Sequence, residues 1–203
     1  MYGLIGSCEG RVASTICAPC VVVCLTLAQA LSQLRYEQLR NLESAEVHAR
    51  RARELSIEAD DARGEAQACN AIGWYLALQG KYSVAIEFCR EALTLFQEFD
   101  DELYRAHTLD SIGFCLFGLR DYSDAIKHYN EALLTYRKLE DRYYEAETLN
   151  HIGESALADQ QSELAKSSWR KALELFEEIG HLPRAVDVRA QLGRLSDASD
   201  AYA

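Results

Sequence analysis

The sequence predicts an all-α fold, a solenoid of stacked antiparallel helical hairpins. Three observations lead to this prediction: a strict 40-residue repeat, apolar residues at helical spacing within each repeat, and a composition poor in turn-forming residues. Only two of the 203 residues are proline and 11 are glycine, whereas an all-β fold needs many tight turns. The hydrophobic fraction of 49% is ample for a sizeable core.

The repeat is visible in columns of equivalent residues that share one phase. An Ile-Gly pair recurs every 40 residues, and Leu192-Gly193 continues the series. Two columns of alanine and one of aromatic residues have the same period. The columns are Ile72-Gly73, Ile112-Gly113 and Ile152-Gly153; Ala85, Ala125 and Ala165; Ala92, Ala132 and Ala172; and Phe96, Tyr136 and Phe176. Such repeats build solenoids because each unit buries its apolar face on its neighbours.

Each repeat predicts two helices joined by a short turn. In the first repeat Cys69 and Ile72 share one apolar stripe, and Ala85 and Cys89 begin a second. Gly80 between the stripes predicts a left-handed helix end. The glycines of the Ile-Gly pairs predict a close approach of the two helices of one hairpin, and the aromatic residues Tyr129 and Trp169 are expected to fill the space between stacked hairpins.

These columns resemble the tetratricopeptide repeat, and the resemblance implies a right-handed solenoid. It covers three units over about residues 63–179, a closing helix around 183–197 and a degenerate half-repeat within 35–62. Residues 146–195 are similar to the C-terminal repeats of actinobacterial regulators of the AfsR and NB-ARC type, where such repeats act as sensor or partner-docking arms. A phosphate-binding G-x-x-x-x-G-K-[ST] loop is absent from the sequence, so only the role of the arm is implied.

Composition and motif spacing argue against several function classes. The net charge of −11, with 32 acidic and 21 basic residues, disfavours direct binding of nucleic acid, which needs a basic surface to displace counterions. Cys17-x-x-Cys20 has no second pair or nearby histidine to complete a zinc site, and the five histidines lack ligand spacing. Acids such as Asp159, Glu163, Glu177 and Glu178 lack a shared pocket and a nucleophile. We therefore expect a non-catalytic protein without a metal or cofactor.

The candidate binding residues lie on the first helix of each hairpin, because first helices line the concave surface of such solenoids. They are Asn70, Trp74, His107, Asp110, Phe114, Phe117, Glu147, Asn150 and Glu154. Asn70, Asp110 and Asn150 share one repeat position, where asparagine can hold a peptide backbone, and the aromatic residues offer apolar anchors. The alternative is that these residues only pack within the repeats. The acids of this groove favour a neutral or basic protein or peptide segment.

Residues 12–34 contain no charged side chain and are long enough to span a bilayer. Ala28-Gln29-Ala30 also resembles a signal-peptidase site, whereas an extra buried helix explains the same residues. The predicted organisation is therefore an apolar leader or helix over 1–34, a half-repeat over 35–62 and repeats over 63–203. We expect a cytoplasmic binding scaffold of a bacterial regulatory system, without a membrane partner. The alternatives are an adaptor exported or tethered through residues 1–30, an accessory subunit of an enzyme complex, and a homo-oligomer through exposed solenoid ends.

Overall fold

The structure is a computed structural model that describes the backbone of residues 38 and 40–200, and side chains as far as residue 195. The chain divides into two compact units, Met1–Asn41 and Leu42–Ala203, and the hairpins belong to the second. The predicted leader over 1–34, including Cys17-x-x-Cys20, lies outside the described residues. Among the residues that are described, no helix is long and apolar enough to cross a membrane.

The described part of the chain forms eight helices and no strand, so the all-α prediction is confirmed. The helices are α1 (40–58), α2 (Ala62–Leu78), α3 (Tyr82–Glu98), α4 (Glu102–Gly118), α5 (Tyr122–Lys138), α6 (Arg142–Ala158), α7 (Ser162–Glu178) and α8 (Leu182–Asp200). Helices α2 to α7 are each 17 residues long. The regular helix length preserves the 40-residue phase of the sequence through the fold.

The turns between helices are nearly identical. Each holds one residue with a left-handed φ, and these residues recur at 20-residue intervals: Asp60, Gly80, Asp100, Arg120, Glu140, Gln160 and Gly180. At Gly80 the backbone N–H donates to Ala77 O at 2.9 Å, and the next N–H, of Lys81, donates to Leu76 O at 2.9 Å. This pair of bonds is the Schellman motif, so the predicted left-handed helix end at Gly80 is confirmed.

The acidic residue after several of these turns caps the next helix. The carboxylates of Asp61, Asp101, Asp121 and Asp141 each accept a hydrogen bond from a backbone N–H in the first turn. Such caps satisfy donors that have no partner within the helix. Turn and cap together fix where each helix begins, and therefore how each hairpin meets the next.

Consecutive helices pack against each other from α2 to α8, which confirms the predicted solenoid of stacked hairpins. The first helices of successive hairpins also touch, α2 with α4 and α4 with α6. We call the surface that these first helices and α8 present together the inner face. The second helices, α3, α5 and α7, form the other layer.

The repeated glycines lie where the two helices of a hairpin meet. A Cβ at Gly73 would lie 2.5 Å from Cys89 Sγ, one at Gly113 would lie 2.7 Å from the Tyr129 ring, and one at Gly153 would lie 2.4 Å from Trp169 Nε1. The predicted close approach is confirmed. The expectation for the aromatic residues is wrong in part, because both rings fill space inside their own hairpin; Tyr129 also reaches the next one, 5.2 Å from the His151 ring.

We expect Gly153→Ala to lower the free energy of unfolding by about 1–2 kcal/mol, because the overpacking against the indole of Trp169 exceeds the gain in helix propensity. Gly193→Ala is the matched control, since no described atom lies within 4 Å of a Cβ there. This variant should be neutral, or more stable by up to about 1 kcal/mol. Urea denaturation followed by circular dichroism measures both. Equal stability changes for the two variants would contradict the close-approach role of Gly153.

Candidate functional site

The structure places all nine predicted binding residues on α2, α4 and α6, the helices of the inner face. Glu147 and Asn150 are buried, with 9% and 3% of their surfaces exposed. The other seven are half-buried: Asn70, Trp74, His107, Asp110, Phe114, Phe117 and Glu154. Half-burial leaves a side chain both held by the fold and accessible, as a binding surface requires.

Two of these aromatic residues form an apolar patch across neighbouring hairpins. The rings of Trp74 on α2 and Phe114 on α4 have centroids 5.1 Å apart at an angle of 51°. We call these two residues the aromatic pair. Tyr82 meets Phe114 edge to face at 6.4 Å, and Phe117 lies 5.5 Å from the ring of Tyr122. Tilted and edge-to-face arrangements are favourable for aromatic rings, so the pair offers a fixed apolar anchor.

His107 belongs to a row of tyrosines. Its Nδ1 lies 2.9 Å from Tyr136 Oη, and its ring packs against Tyr144 with centroids 4.4 Å apart. Burial lowers the pKa of His107 and outweighs the opposing effect of Asp110. The histidine is therefore a neutral packing partner near pH 7. Tyr144 and the adjacent Tyr143, which packs edge to face on it, are 39% and 37% exposed. Sequence reasoning missed both, although consecutive tyrosines in the first turn of α6 were a visible signal.

Polar side chains connect α4 to α6. Asp110 Oδ1 accepts a hydrogen bond from Thr148 Oγ1 at 3.2 Å and lies 3.4 Å from His151 Nδ1. Burial alone would lower the pKa of His151, but the negative charges of Asp110, Glu154 and Glu147 outweigh it, so that this pKa is raised. The raised pKa favours the imidazolium form, which the Asp110 carboxylate stabilises.

A second polar connection joins α6 to α8. Glu154 Oε1 accepts one hydrogen bond from Asn150 Nδ2 and one from Gln191 Nε2, each at 3.0 Å. The amide oxygens of Asn150 and Gln191 are buried and accept no hydrogen bond from a described residue, and the same holds for Asn70 Oδ1. A buried acceptor without a donor costs about 1–3 kcal/mol.

The negative charge of the inner face differs from the sequence expectation in one respect. Glu147 does not stand open in the groove, because both of its carboxylate oxygens are bound by the guanidinium of Arg184 on α8. Among the described residues of this face, Asp110, Glu154 and the exposed Asp187 on α8 have no arginine or lysine partner. Sequence reasoning missed Arg184 because it lies one repeat beyond Glu147, on the closing helix.

One group outside the inner face has the composition of a metal site. Ligand atoms of Glu65, Cys69 and Glu91 lie within 4.8 Å of one another. The guanidinium of Arg53, however, binds both carboxylates. Burial and then the charge of Glu91 raise the pKa of Cys69 to about 12, so the sulfur is a protonated thiol at neutral pH. Arg53 thus supplies the positive charge that a metal ion would bring.

Comparison with known proteins identifies the repeats. Tetratricopeptide-repeat family models match residues 66–98 and residues 104–178. The matched residues cover α2 to α7 and include the predicted binding residues. No curated protein matches the sequence.

Solved structures share the fold. The structure of a Rap protein complexed with Competence and Sporulation Factor matches with a TM-score of 0.70 and 19% identity, over 84% of this chain and 47% of that chain. BtubC from P. vanneervenii matches with a TM-score of 0.61 and 18% identity, over 86% and 80% of the chains. A putative kinesin light chain from Podosopora anserina with nearly identical TPR-like repeats matches with a TM-score of 0.56 and 8% identity, over 85% of this chain and 95% of that chain. The chain therefore spans about half of the Rap protein, and at these identities the likeness establishes the fold.

Proposed function

This chain carries tetratricopeptide repeats, a fold consistent with protein–protein interaction, and we propose that it is a non-catalytic scaffold that binds a protein or peptide segment on its inner face. One observation supports the location of the site. The inner face places the aromatic pair, an apolar anchor, beside side chains whose hydrogen-bonding capacity is not filled. Such a surface offers a partner both apolar contacts and hydrogen bonds.

The proposed partner segment is neutral or basic. Asp110 and Glu154 lie on this face without an arginine or lysine bound to them in the described part of the chain, and the protein carries a net charge of −11. Acidic segments would be repelled on approach and again at the site. Tight binding of an acidic C-terminal peptide would contradict this part of the proposal.

The proposed setting is a bacterial transcriptional or signalling system, in which the chain serves as a cytoplasmic regulatory arm. The basis for this proposal is the resemblance to AfsR- and NB-ARC-type regulators that the sequence of residues 146–195 suggests. The Rap protein, crystallised with Competence and Sporulation Factor, is a fold relative whose structure contains a bound factor. The uncharged stretch 12–34 favours a second candidate, an exported or tethered adaptor. The mature N-terminus separates the two, since cleavage after Ala30 would leave Leu31 first.

The test is partner capture by the whole chain and by the combined variant Asn70→Ala, Asp110→Ala, Asn150→Ala. We expect retention of the partner to fall by about tenfold or more, because each lost hydrogen bond contributes about 0.5–1.5 kcal/mol. The matched control replaces Glu87, Asn130 and Arg170, which are exposed on α3, α5 and α7, and should retain the partner. Circular dichroism verifies that both variants keep their helices. Equal retention by both would refute the inner-face site.

A further inference from the structure

Glu154 is a half-buried carboxylate to which no arginine or lysine of the described residues is bound. Arg184 binds Glu147, and Asp110 Oδ1 lies 3.4 Å from His151 Nδ1. Glu154 accepts only the two amide N–H groups of Asn150 and Gln191. The charge of Arg184 reaches Glu154, but the guanidinium itself is occupied by Glu147.

The amides around Glu154 are incompletely satisfied. Asn150 is only 3% exposed, and neither its oxygen nor that of Gln191 has a donor in the part of the chain that the structure describes. Both amides donate an N–H group to the Glu154 carboxylate. The oxygens of the same two amides are buried and accept no hydrogen bond from a described residue. The group that would complete this arrangement is a cation with several N–H donors and no acceptor.

We propose that Glu154, Asn150 and Gln191 form a subsite for an arginine side chain of the bound segment, an inference that rests on the function proposed above and names its partner. The guanidinium carries five N–H donors in a plane and no acceptor. Two of them bind Glu154 in the bidentate geometry that carboxylates favour. The amides released from Glu154 turn their oxygens to accept the remaining N–H groups. The compact ammonium of lysine has no such fork.

The spacing of the repeats also predicts where the bound segment carries a large apolar residue. Trp74, Phe114 and Glu154 occupy the same position in three successive repeats, so the arginine subsite lies one helix further along the inner face than the aromatic pair. Neighbouring helices pack about 8–10 Å apart, and an extended chain advances about 3.3 Å per residue. A segment lying across the helices therefore places a large apolar residue about three residues from its arginine.

The probes are the capped peptides Leu-Ala-Ala-Arg and Arg-Ala-Ala-Leu, one for each chain direction, titrated into the full-length protein. Side-chain NH2 resonances of Asn150 and Gln191 report the subsite, and tryptophan fluorescence reports the aromatic pair. We expect one of the two peptides to shift both amide resonances. The same peptide with citrulline, which has the shape of arginine without its charge, should bind about tenfold more weakly or worse.

The matched variants are Glu154→Gln and Glu163→Gln. Glutamine at 154 retains an oxygen to accept from both amides, so the local structure is kept, while Glu163 is an exposed acid on α7 with 87% of its side chain accessible. We expect Glu154→Gln to weaken the arginine peptide about tenfold and Glu163→Gln to leave it unchanged. Absence of amide shifts with both arginine peptides, equal binding of the citrulline peptide, or unaltered binding to Glu154→Gln would each overturn the arginine subsite. Partner capture by the combined variant Asn70→Ala, Asp110→Ala, Asn150→Ala tests the proposed function in a separate experiment. Its outcome does not depend on how Glu154→Gln changes the binding of the arginine peptide.

Discussion

Trp169→Ala will lower the free energy of unfolding by about 3–5 kcal/mol, the range for truncating a large aromatic residue in a core. The indole is 2% exposed and lies directly on Gly153 between α6 and α7. Glycine offers no side chain that could move into the space, so the cavity stays open. Urea denaturation followed by circular dichroism measures the loss.

Trp74→Ala is the control for this prediction, because the same residue type lies half-buried in the aromatic pair on the inner face. It should cost only about 1–2 kcal/mol of stability, and it should weaken partner binding. If the two tryptophan variants lost equal stability and equal binding, the separation of core from binding surface would be wrong.

Arg184→Ala will lower the free energy of unfolding by about 2–4 kcal/mol. Glu147 is nearly buried, and removing the guanidinium leaves its carboxylate without a countercharge, which is the costly way to break a buried ion pair. The loss also removes one of the two polar connections between α8 and α6. Chemical denaturation of the variant gives the magnitude, and hydrogen exchange should show α8 opening first.

Arg189 on the same helix provides the matched control. It pairs with Glu177, but 59% and 47% of these two side chains are exposed, and exposed pairs contribute at most about 1 kcal/mol. Arg189→Ala should therefore be close to neutral. Combining Arg184→Ala with Glu147→Gln should recover part of the lost stability, because the buried charge is then removed together with its partner. A neutral Arg184→Ala would mean that Glu147 is solvated in solution.

The repeat architecture was predictable because its determinants are local and recur at a fixed period. The Ile-Gly pairs predict the close approach of two helices, because glycine has no side chain to keep them apart. Gly80 predicts a left-handed turn, because glycine adopts a positive φ without steric cost. The same reasoning placed the candidate binding residues on the first helices. It did not reveal the left-handed conformation of Arg120 or Gln160, since the tertiary register imposes that conformation on residues that do not prefer it.

The sequence by itself determined the period, the hairpins and which side chains line the inner face, because all three follow from spacing along one chain. The tertiary structure alone decided which of those side chains remain available. Arg184 neutralises Glu147, His151 is paired with Asp110, and the amides of Asn150 and Gln191 both turn to Glu154. Apart from the Asn150–Glu154 bond, which lies within α6, the partners in these contacts lie on neighbouring first helices, and which rotamers meet there depends on how the hairpins stack. Composition indicated an acidic protein; the stacking of α6 and α8 places Glu154 between two amide donors, with no arginine or lysine of the described residues bound to it.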